Sequence, residues 1–236
     1  MPGFRLRYQR FPKEMKRKRE RVFEERLLVF NFSDRHGTEL LKRRVLESFE
    51  TPNNIVWLYS CWQDLYTELT LKFPHIRFIE GIPDNLNDDD LLPKHLVNMV
   101  VVDDLMREGG DHPELERAFT QYSHHRNLSL CYIVQNLFYK GKSSRSITLN
   151  ASYLVLFKNP RDKLQISIIA KQMYPGNTQF FMDAFNDATA KPHGYLLVDL
   201  KPNTFEDYRL RSGIIPPDFP VAYTPKTVSK NYKKNK

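Results

Sequence analysis

The chain has 236 residues, 41% of them hydrophobic and 27% charged, with a net charge of +8, which suits one well-buried α/β domain and is short for two. Its two cysteines, Cys61 and Cys131, lack CxxC spacing, which argues against a zinc site or a disulfide framework and for a reducing compartment. No apolar stretch reaches the roughly 18 residues that a membrane span needs, so we expect a soluble intracellular protein without a membrane partner.

The amino-terminal half of the chain predicts strands that alternate with helices. Short runs of β-branched and aromatic residues indicate the strands, and apolar residues at helical spacing indicate the helices. In chain order, the pattern predicts a charged helix at 12–26, a strand at 27–30, a helix beginning at Thr38, a strand at 55–59, a helix at 62–71, a strand at 76–79, an acidic loop at 83–93 and a strand ending at Asp103.

The carboxy-terminal half continues the alternation. Pro113 at the first helical position, with acids in the first turn, predicts a helix at 113–122. The pattern then predicts a strand at 128–134, a loop around 139–145, a strand at 151–157, helices at 161–173 and 177–189, a strand at 194–200 and an edge strand near 208–211. Such alternation is typical of an α/β fold with a mostly parallel sheet flanked by helices.

Positive charge is concentrated at the two ends of the chain. Residues 1–26 carry +6 and residues 226–236 carry +5, which leaves −3 for residues 27–225. The basic ends have two interpretations: arms that contact a polyanion such as DNA, or partly disordered solubilising termini. The run 16–19 (KRKR) also matches a short nuclear localisation signal.

Two adjacent carboxylates, Asp103 and Asp104, end the mostly apolar run 98–102 (NMVVV). A continuous β-branched run suits a central parallel strand covered on both faces, and ligands of such sheets bind beyond the carboxyl ends of the strands. In P-loop NTPases an acid at this position holds Mg²⁺, and its neighbour is a base for the attacking water. The alternative is a solvated turn after a core strand.

A polyphosphate site also needs a loop of backbone N–H groups and a polar group on the neighbouring strand. The turn at 31–38 is the candidate loop, and Gln135, beside Asn136, is the candidate sensor of the terminal phosphate. Arg126 has the donor geometry of an arginine finger, acting in cis or across a subunit interface. A structural role as a helix cap is its alternative.

Three longer runs resemble a known family: 123–138 (SHHRNLSLCYIVQNLF), 146–162 (SITLNASYLVLFKNPRD) and 194–200 (GYLLVDL). They are similar to the genome-packaging ATPases of Maverick/Polinton-type elements and adintoviruses, which belong to the FtsK/HerA class of P-loop NTPases. The resemblance covers roughly residues 27–215 and implies a RecA-like (ASCE) fold. It implies these cofactors and partners: ATP and Mg²⁺, double-stranded DNA, capsid components, and further copies of the chain in a ring.

The resemblance also implies site residues. Asp103, Asp104, Gln135 and Arg126 would be catalytic, and Thr38 and Asp103 would bind the metal. The nucleotide-binding loop would contain Asn31, Ser33, Arg35, His36, Gly37 and Thr38.

The first motif departs from the pattern of the family. Asn31, His36 and Gly37 stand where the family has Gly, Gly and Lys, while Thr38 matches the Thr that would hold Mg²⁺. The missing lysine would bridge the β- and γ-phosphates, and the replaced glycines would allow the backbone to approach the nucleotide. Two functions follow as alternatives: a DNA-translocating ATPase with weakened hydrolysis, or a non-catalytic pseudo-ATPase that serves as a DNA-binding or assembly subunit. A decayed copy that folds without a selected role is a third.

The resemblance and the charge distribution together divide the chain into three parts. We expect a basic helical extension at 1–26, a P-loop NTPase-like domain at 27–215 and a basic, disordered tail at 216–236. The expected location is the nucleus of a host cell or a virion.

Overall fold

The computed structural model of the chain describes residues 7–10, 27–31, 52–105, 111–122, 127–140, 142–214 and 219–225, in which ten strands form one sheet. The strands are β1 (Arg7–Arg10), β2 (Leu27–Asn31), β3 (Asn54–Tyr59), β4 (Ile76–Glu80), β5 (Asn98–Asp103), β6 (Leu128–Val134), β7 (Tyr153–Phe157), β8 (Tyr195–Asp199), β9 (Leu210–Ser212) and β10 (Val221–Thr224). The helices are α1 (Asp64–Lys72), α2 (Pro113–Arg117), α3 (Lys142–Asn150), α4 (Leu164–Met173) and α5 (Thr178–Ala188). A π-helical turn, Ala118–Tyr122, continues α2, and a 3₁₀ turn, Glu206–Tyr208, precedes β9.

The strands lie in the order β1-β10-β9-β8-β7-β2-β6-β5-β3-β4. Neighbours from β7 to β4 pair in parallel, whereas the pairs from β7 to β1 on the other side are antiparallel. The chain therefore stays on one side of β2 from β3 to β6 and then crosses to the other side with β7. Such a topological switch opens a crevice beyond the carboxyl end of the central strand.

Helices cover both faces of the sheet, so the central strands are buried on both sides. Along β5, Val100 and Val102 pack into one core cluster, while Met99 and Val101 pack into the other. The second cluster contains the buried side chains of α1. The first cluster contains those of the other helices, including Leu115, Ile147, Ile166 and Phe181.

The predicted strands from 55–59 to 194–200 and the helices at 62–71, 113–122, 161–173 and 177–189 are confirmed, with ends that shift by a few residues. One helix was missed. The predicted loop around 139–145 is wrong in its second half, because α3 begins at Lys142; the buried face of this helix contains Ser143, Ser144 and Ile147. With two serines on that face, the sequence shows little apolar helical periodicity.

The structure differs from the prediction at both ends of the domain, where two four-residue strands lie. Arg7–Arg10 is a strand within the extension predicted to be helical, and Val221–Thr224 is a strand within the tail predicted to be disordered. The two pair with each other, and β10 also pairs with β9. As a result, β9 is an inner strand and not the predicted edge strand. The predicted helices at 12–26 and from Thr38 lie outside the described residues.

Among the residues that the structure describes, no helix is both long enough and apolar enough to cross a membrane.

Candidate functional site

The carboxyl ends of four neighbouring parallel strands meet at one edge of the sheet. Asp103 of β5 is in register with Ile133 of β6, and Asn31 of β2 is in register with Val134 of β6 and Leu156 of β7. Because these strands run parallel, the residues that follow them share one crevice. This edge contains Asp103, Asp104 and Gln135, which the sequence predicted as a single constellation.

Asp103 is held inside the structure at the end of β5. Its side chain is 2% exposed, and its Oδ2 accepts a 2.7 Å hydrogen bond from the hydroxyl of Tyr66 on α1. Burial, together with the charge of Asp103, raises the pKa of Tyr66 well above its ordinary value. Tyr66 is therefore a protonated donor at every physiological pH, and it fixes the orientation of the Asp103 carboxylate.

Asp104 is exposed and has a left-handed backbone, with a φ of 55°. This conformation is uncommon for residues other than glycine, although Asp and Asn tolerate it better than most. It turns the chain sharply just after the buried strand. The adjacent carboxylates therefore differ in environment: Asp103 is buried and Asp104 faces solvent.

Gln135, the first residue after β6, contacts Asp104. Its Nε2 donates a 3.3 Å hydrogen bond to Oδ1 of Asp104, across two neighbouring strands. The structure therefore brings together three of the predicted catalytic residues: Asp103, Asp104 and Gln135. A water positioned here would meet a carboxylate that accepts protons and an amide that both donates and accepts hydrogen bonds.

The remaining predicted site residues belong to the candidate phosphate loop, apart from Arg126. The backbone of Asn31 ends β2 between β6 and β7, at the position where a phosphate-binding loop would begin. Ser33, Arg35, His36, Gly37 and Thr38, together with Arg126, lie outside the described residues.

An aromatic cluster next to Asp103 was not predicted. It consists of Trp57 and Tyr59 of β3, Trp62 before α1, Tyr66 of α1 and Phe78 of β4, with ring centroids 5.3 to 6.5 Å apart. Trp62 is 53% exposed, whereas Tyr66 is fully buried. The sequence predicted a helix at 62–71, but it contained no signal that the hydroxyl of Tyr66 would reach an acid on a strand.

The described residues contain no group of three or more His, Cys, Asp or Glu side chains that could hold a metal ion. Mg²⁺ does not need such a cage, because it keeps several waters and usually binds one or two carboxylates plus the phosphates of a substrate. Asp103 and Asp104, a buried and an exposed acid at the mouth of the crevice, fit that mode.

Comparisons with known proteins bear on the fold. No protein-family model and no curated protein matches the sequence. Among solved structures, the chain is similar to the genome packaging NTPase B204 from Sulfolobus turreted icosahedral virus 2 in complex with sulfate. The two are 11% identical over 86% of this chain and 98% of that chain, with a TM-score of 0.53.

Two further structures of this kind match. The complex of the same NTPase with ATPγS is 13% identical over 86% of this chain and 98% of that chain, with a TM-score of 0.51. B204, the DNA-packaging ATPase from Sulfolobus turreted icosahedral virus, is 9% identical over the same shares, with a TM-score of 0.51. The chain therefore has the α/β fold of RecA-like P-loop ATPases, as the sequence predicted. Its structural neighbours include viral genome-packaging NTPases.

Proposed function

We propose that this chain is a homologue of DNA-packaging ATPases from viruses or virus-like transposable elements, of the FtsK/HerA class and related to those of Maverick/Polinton elements. The observation that carries the proposal is the convergence of Asp103, Asp104 and Gln135 beside the end of β2. Its support is the similarity of the fold to a viral packaging NTPase. The long sequence runs that resemble the Maverick/Polinton family support the finer assignment.

Each residue of the constellation has a role in the proposed reaction. Asp103 and Thr38 would hold Mg²⁺, which supplies positive charge to the phosphates of ATP. Asp104 accepts the proton of the attacking water, and its exposure leaves it accessible to that water. Gln135 holds Asp104 in place and contacts the terminal phosphate. Arg126 acts on the site of a neighbouring subunit.

The proposed partners follow from the same function. Copies of the chain assemble into a ring around double-stranded DNA and deliver it to a capsid. The basic ends contact the DNA phosphates, since residues 1–26 and 226–236 carry +6 and +5. The proposed location is a host nucleus or a virion.

A test of the DNA proposal is the salt dependence of binding to a duplex of mixed sequence. Replacing the five lysines of residues 226–236 by Gln should reduce the slope of log K against log salt by about 0.9 for each phosphate that the tail no longer neutralises. An unchanged slope would show that the tail does not touch the DNA backbone.

A pseudo-ATPase is the second candidate function, and one observation favours it. Position 37 is Gly where the related ATPases have Lys, so the β- and γ-phosphates lose their usual cation. The same fold could then act as a DNA-binding or assembly subunit without turnover.

Calorimetry of Mg²⁺-ATP binding and an assay of phosphate release distinguish the two functions. The unaltered chain is measured beside a variant with Asn31→Gly, His36→Gly and Gly37→Lys, and beside Asp104→Asn. The ATPase proposal expects binding by the unaltered chain, with turnover that Asp104→Asn abolishes. If only the triple variant binds Mg²⁺-ATP, the chain is a pseudo-ATPase. If neither the unaltered chain nor the triple variant binds it, the proposed nucleotide site is wrong.

A further inference from the structure

The end of β2 lies between two loops that begin at the same edge of the sheet. Asn31 is in register with Val134 of β6 on one side and with Leu156 of β7 on the other. Adjacent strands are about 5 Å apart, so both loops start within one strand spacing of the end of β2. We call the second of them, residues 158–163, the β7–α4 loop.

A buried amide joins these two loops across the end of β2. Gln165 of α4 is 5% exposed, and its Oε1 accepts a 2.7 Å hydrogen bond from the backbone N–H of Leu137, which follows β6. Its Nε2 donates a 2.5 Å hydrogen bond to Oδ2 of Asp162 in the β7–α4 loop. A buried amide that uses both its donor and its acceptor holds the two loops at a fixed separation.

The β7–α4 loop is short, ordered by its own hydrogen bonds and basic. Lys158, Arg161 and Lys163 are exposed. The acid of the loop, Asp162, is engaged by Gln165. Asn159 Oδ1 accepts a 3.0 Å hydrogen bond from the backbone N–H of Arg161, which fixes the turn. The loop thus carries three cations at a defined place next to β2.

We propose that Lys158 and Arg161 supply the positive charge to a bound nucleoside triphosphate that a lysine at position 37 supplies in related ATPases. The inference rests on the proposed nucleotide site. Its basis is position: the loop after β7 is a direct neighbour of the strand that leads into the candidate phosphate loop. The loop also begins at the same carboxyl edge of the sheet as Asp103 and Asp104, which follow β5 in the strand order β7-β2-β6-β5.

The chemistry of the two side chains suits a polyphosphate. A lysine is a compact charge on a flexible stem, and an arginine presents a planar fork of donors that matches phosphate oxygens. Lys158 directly follows the last strand residue, so its stem begins close to the end of β2. Both cations would contribute more to a triphosphate than to a monophosphate, because the attraction grows with the charge of the ligand.

The test is calorimetry on the full chain with Mg²⁺-ATP, inorganic tripolyphosphate and AMP as probes. The variants are the double change Lys158→Ala with Arg161→Ala and the conservative Lys158→Arg. The control is Lys171→Ala, an exposed lysine in the last turn of α4. The double variant should bind Mg²⁺-ATP and tripolyphosphate at least about tenfold more weakly, or ~1.4 kcal/mol, while AMP changes much less.

Lys158→Arg should retain most of the affinity, and Lys171→Ala should leave it unchanged. Circular dichroism and urea unfolding of every variant establish that the fold is retained. Equal weakening by Lys171→Ala would indicate a general effect of net charge and would overturn the inference.

The failures of the two proposals are distinguishable. If the unaltered chain binds Mg²⁺-ATP and the double variant binds it equally well, the nucleotide site stands and the β7–α4 loop has no part in it. If only the chain with the restored loop (Asn31→Gly, His36→Gly, Gly37→Lys) binds, the inference fails because nothing compensates for the missing lysine. If neither chain binds, the nucleotide site itself is wrong and the inference falls with it.

Discussion

The hydroxyl of Tyr66 on α1 donates a 2.7 Å hydrogen bond to Oδ2 of Asp103, the last residue of β5. The two residues are 37 positions apart in the chain, and both are buried. Tyr66 also packs against Trp57, Tyr59, Trp62 and Phe78. The carboxylate proposed to hold Mg²⁺ is thus oriented by a helix and by an aromatic cluster, in addition to its own strand.

Replacing Tyr66 by Phe should lower the free energy of unfolding by about 1–3 kcal/mol, because a buried carboxylate loses a hydrogen-bond donor. Urea unfolding followed by circular dichroism measures the change. Tyr59→Phe is the control: Tyr59 belongs to the same cluster, and its hydroxyl makes no hydrogen bond within the described part of the chain. A loss as large in Tyr59→Phe would assign the effect to ring packing and not to Asp103.

Alkaline pH should destabilise the fold. Burial raises the pKa of Tyr132 to about 12 and that of Tyr174 to about 12, and it raises the pKa of Tyr66 as well. Below the unfolded pKa of about 10 these tyrosines are protonated in both states, so their contribution is fully present. Above it, the unfolded chain releases protons that the folded chain keeps, and stability falls as pH rises towards the folded values.

Urea unfolding from about pH 9 to pH 11.5 should therefore show a falling free energy, with each buried tyrosine contributing about 1.4 kcal/mol per pH unit above its unfolded pKa. Tyr132→Phe should remove one such contribution from the slope. The absorbance of tyrosinate should rise together with unfolding. Titration of all tyrosines before the fold is lost would contradict the prediction.

Arg211 and Asp199 form an ion pair inside the antiparallel part of the sheet. Both are buried, and Nη2 of Arg211 donates a hydrogen bond to Oδ2 of Asp199. Arg211→Met leaves a buried carboxylate without its cation and should reduce the free energy of unfolding by about 3–5 kcal/mol. The double variant Arg211→Met with Asp199→Asn should lose less free energy of unfolding than Arg211→Met alone. Additive losses, measured in a double-mutant cycle, would show that the two charges are not coupled.

Gly194 precedes β8 at a point of close backbone approach. A Cβ at this position would lie 2.4 Å from the carbonyl oxygen of Ala188 and 3.0 Å from that of Lys191. Gly194→Ala should therefore destabilise the fold by about 1–3 kcal/mol, since backbone must move to admit the methyl group. Gly176→Ala is the matched control, because nothing lies within 4 Å of its Cβ. Equal thermal midpoints for the two variants would refute the steric account.

The parallel half of the sheet was predictable because its strands are local apolar runs. β5, β6 and β7 agree with the sequence prediction to within two residues, and their polar ends predicted the grouping of Asp103, Asp104 and Gln135. That grouping needs only the rule that parallel strands end at one edge.

What was missed depends on contacts between distant parts of the chain. β1 and β10 are four-residue strands that lie at opposite ends of the sequence and pair with each other. The buried face of α3 is partly serine, so it has no clear apolar period. The hydrogen bond from Tyr66 to Asp103 joins α1 to β5, and the two residues lie 37 positions apart in the chain. Each of these features is set by tertiary packing, which local sequence pattern does not encode.

The backbone of Asp104 allows its effect on stability to be separated from its proposed role in catalysis. At a φ of 55°, glycine is free of the penalty of about 1–2 kcal/mol that a Cβ incurs, and Asn tolerates the conformation as Asp does. Asp104→Gly should therefore be more stable than Asp104→Ala by about 1 kcal/mol, with Asp104→Asn close to the unaltered chain. All three variants remove the carboxylate, so under the proposed ATPase function all three should abolish phosphate release from ATP.

Urea unfolding and the phosphate-release assay, run on the same preparations, check both halves of this prediction. The expected result is that Asp104→Gly has a higher free energy of unfolding than Asp104→Ala, while all three variants lose ATP turnover. It would mean that the strained turn is retained for the position of the carboxylate, since the most stable residue there cannot perform the chemistry. Retained turnover in Asp104→Asn would instead remove Asp104 as the base, whatever the stabilities.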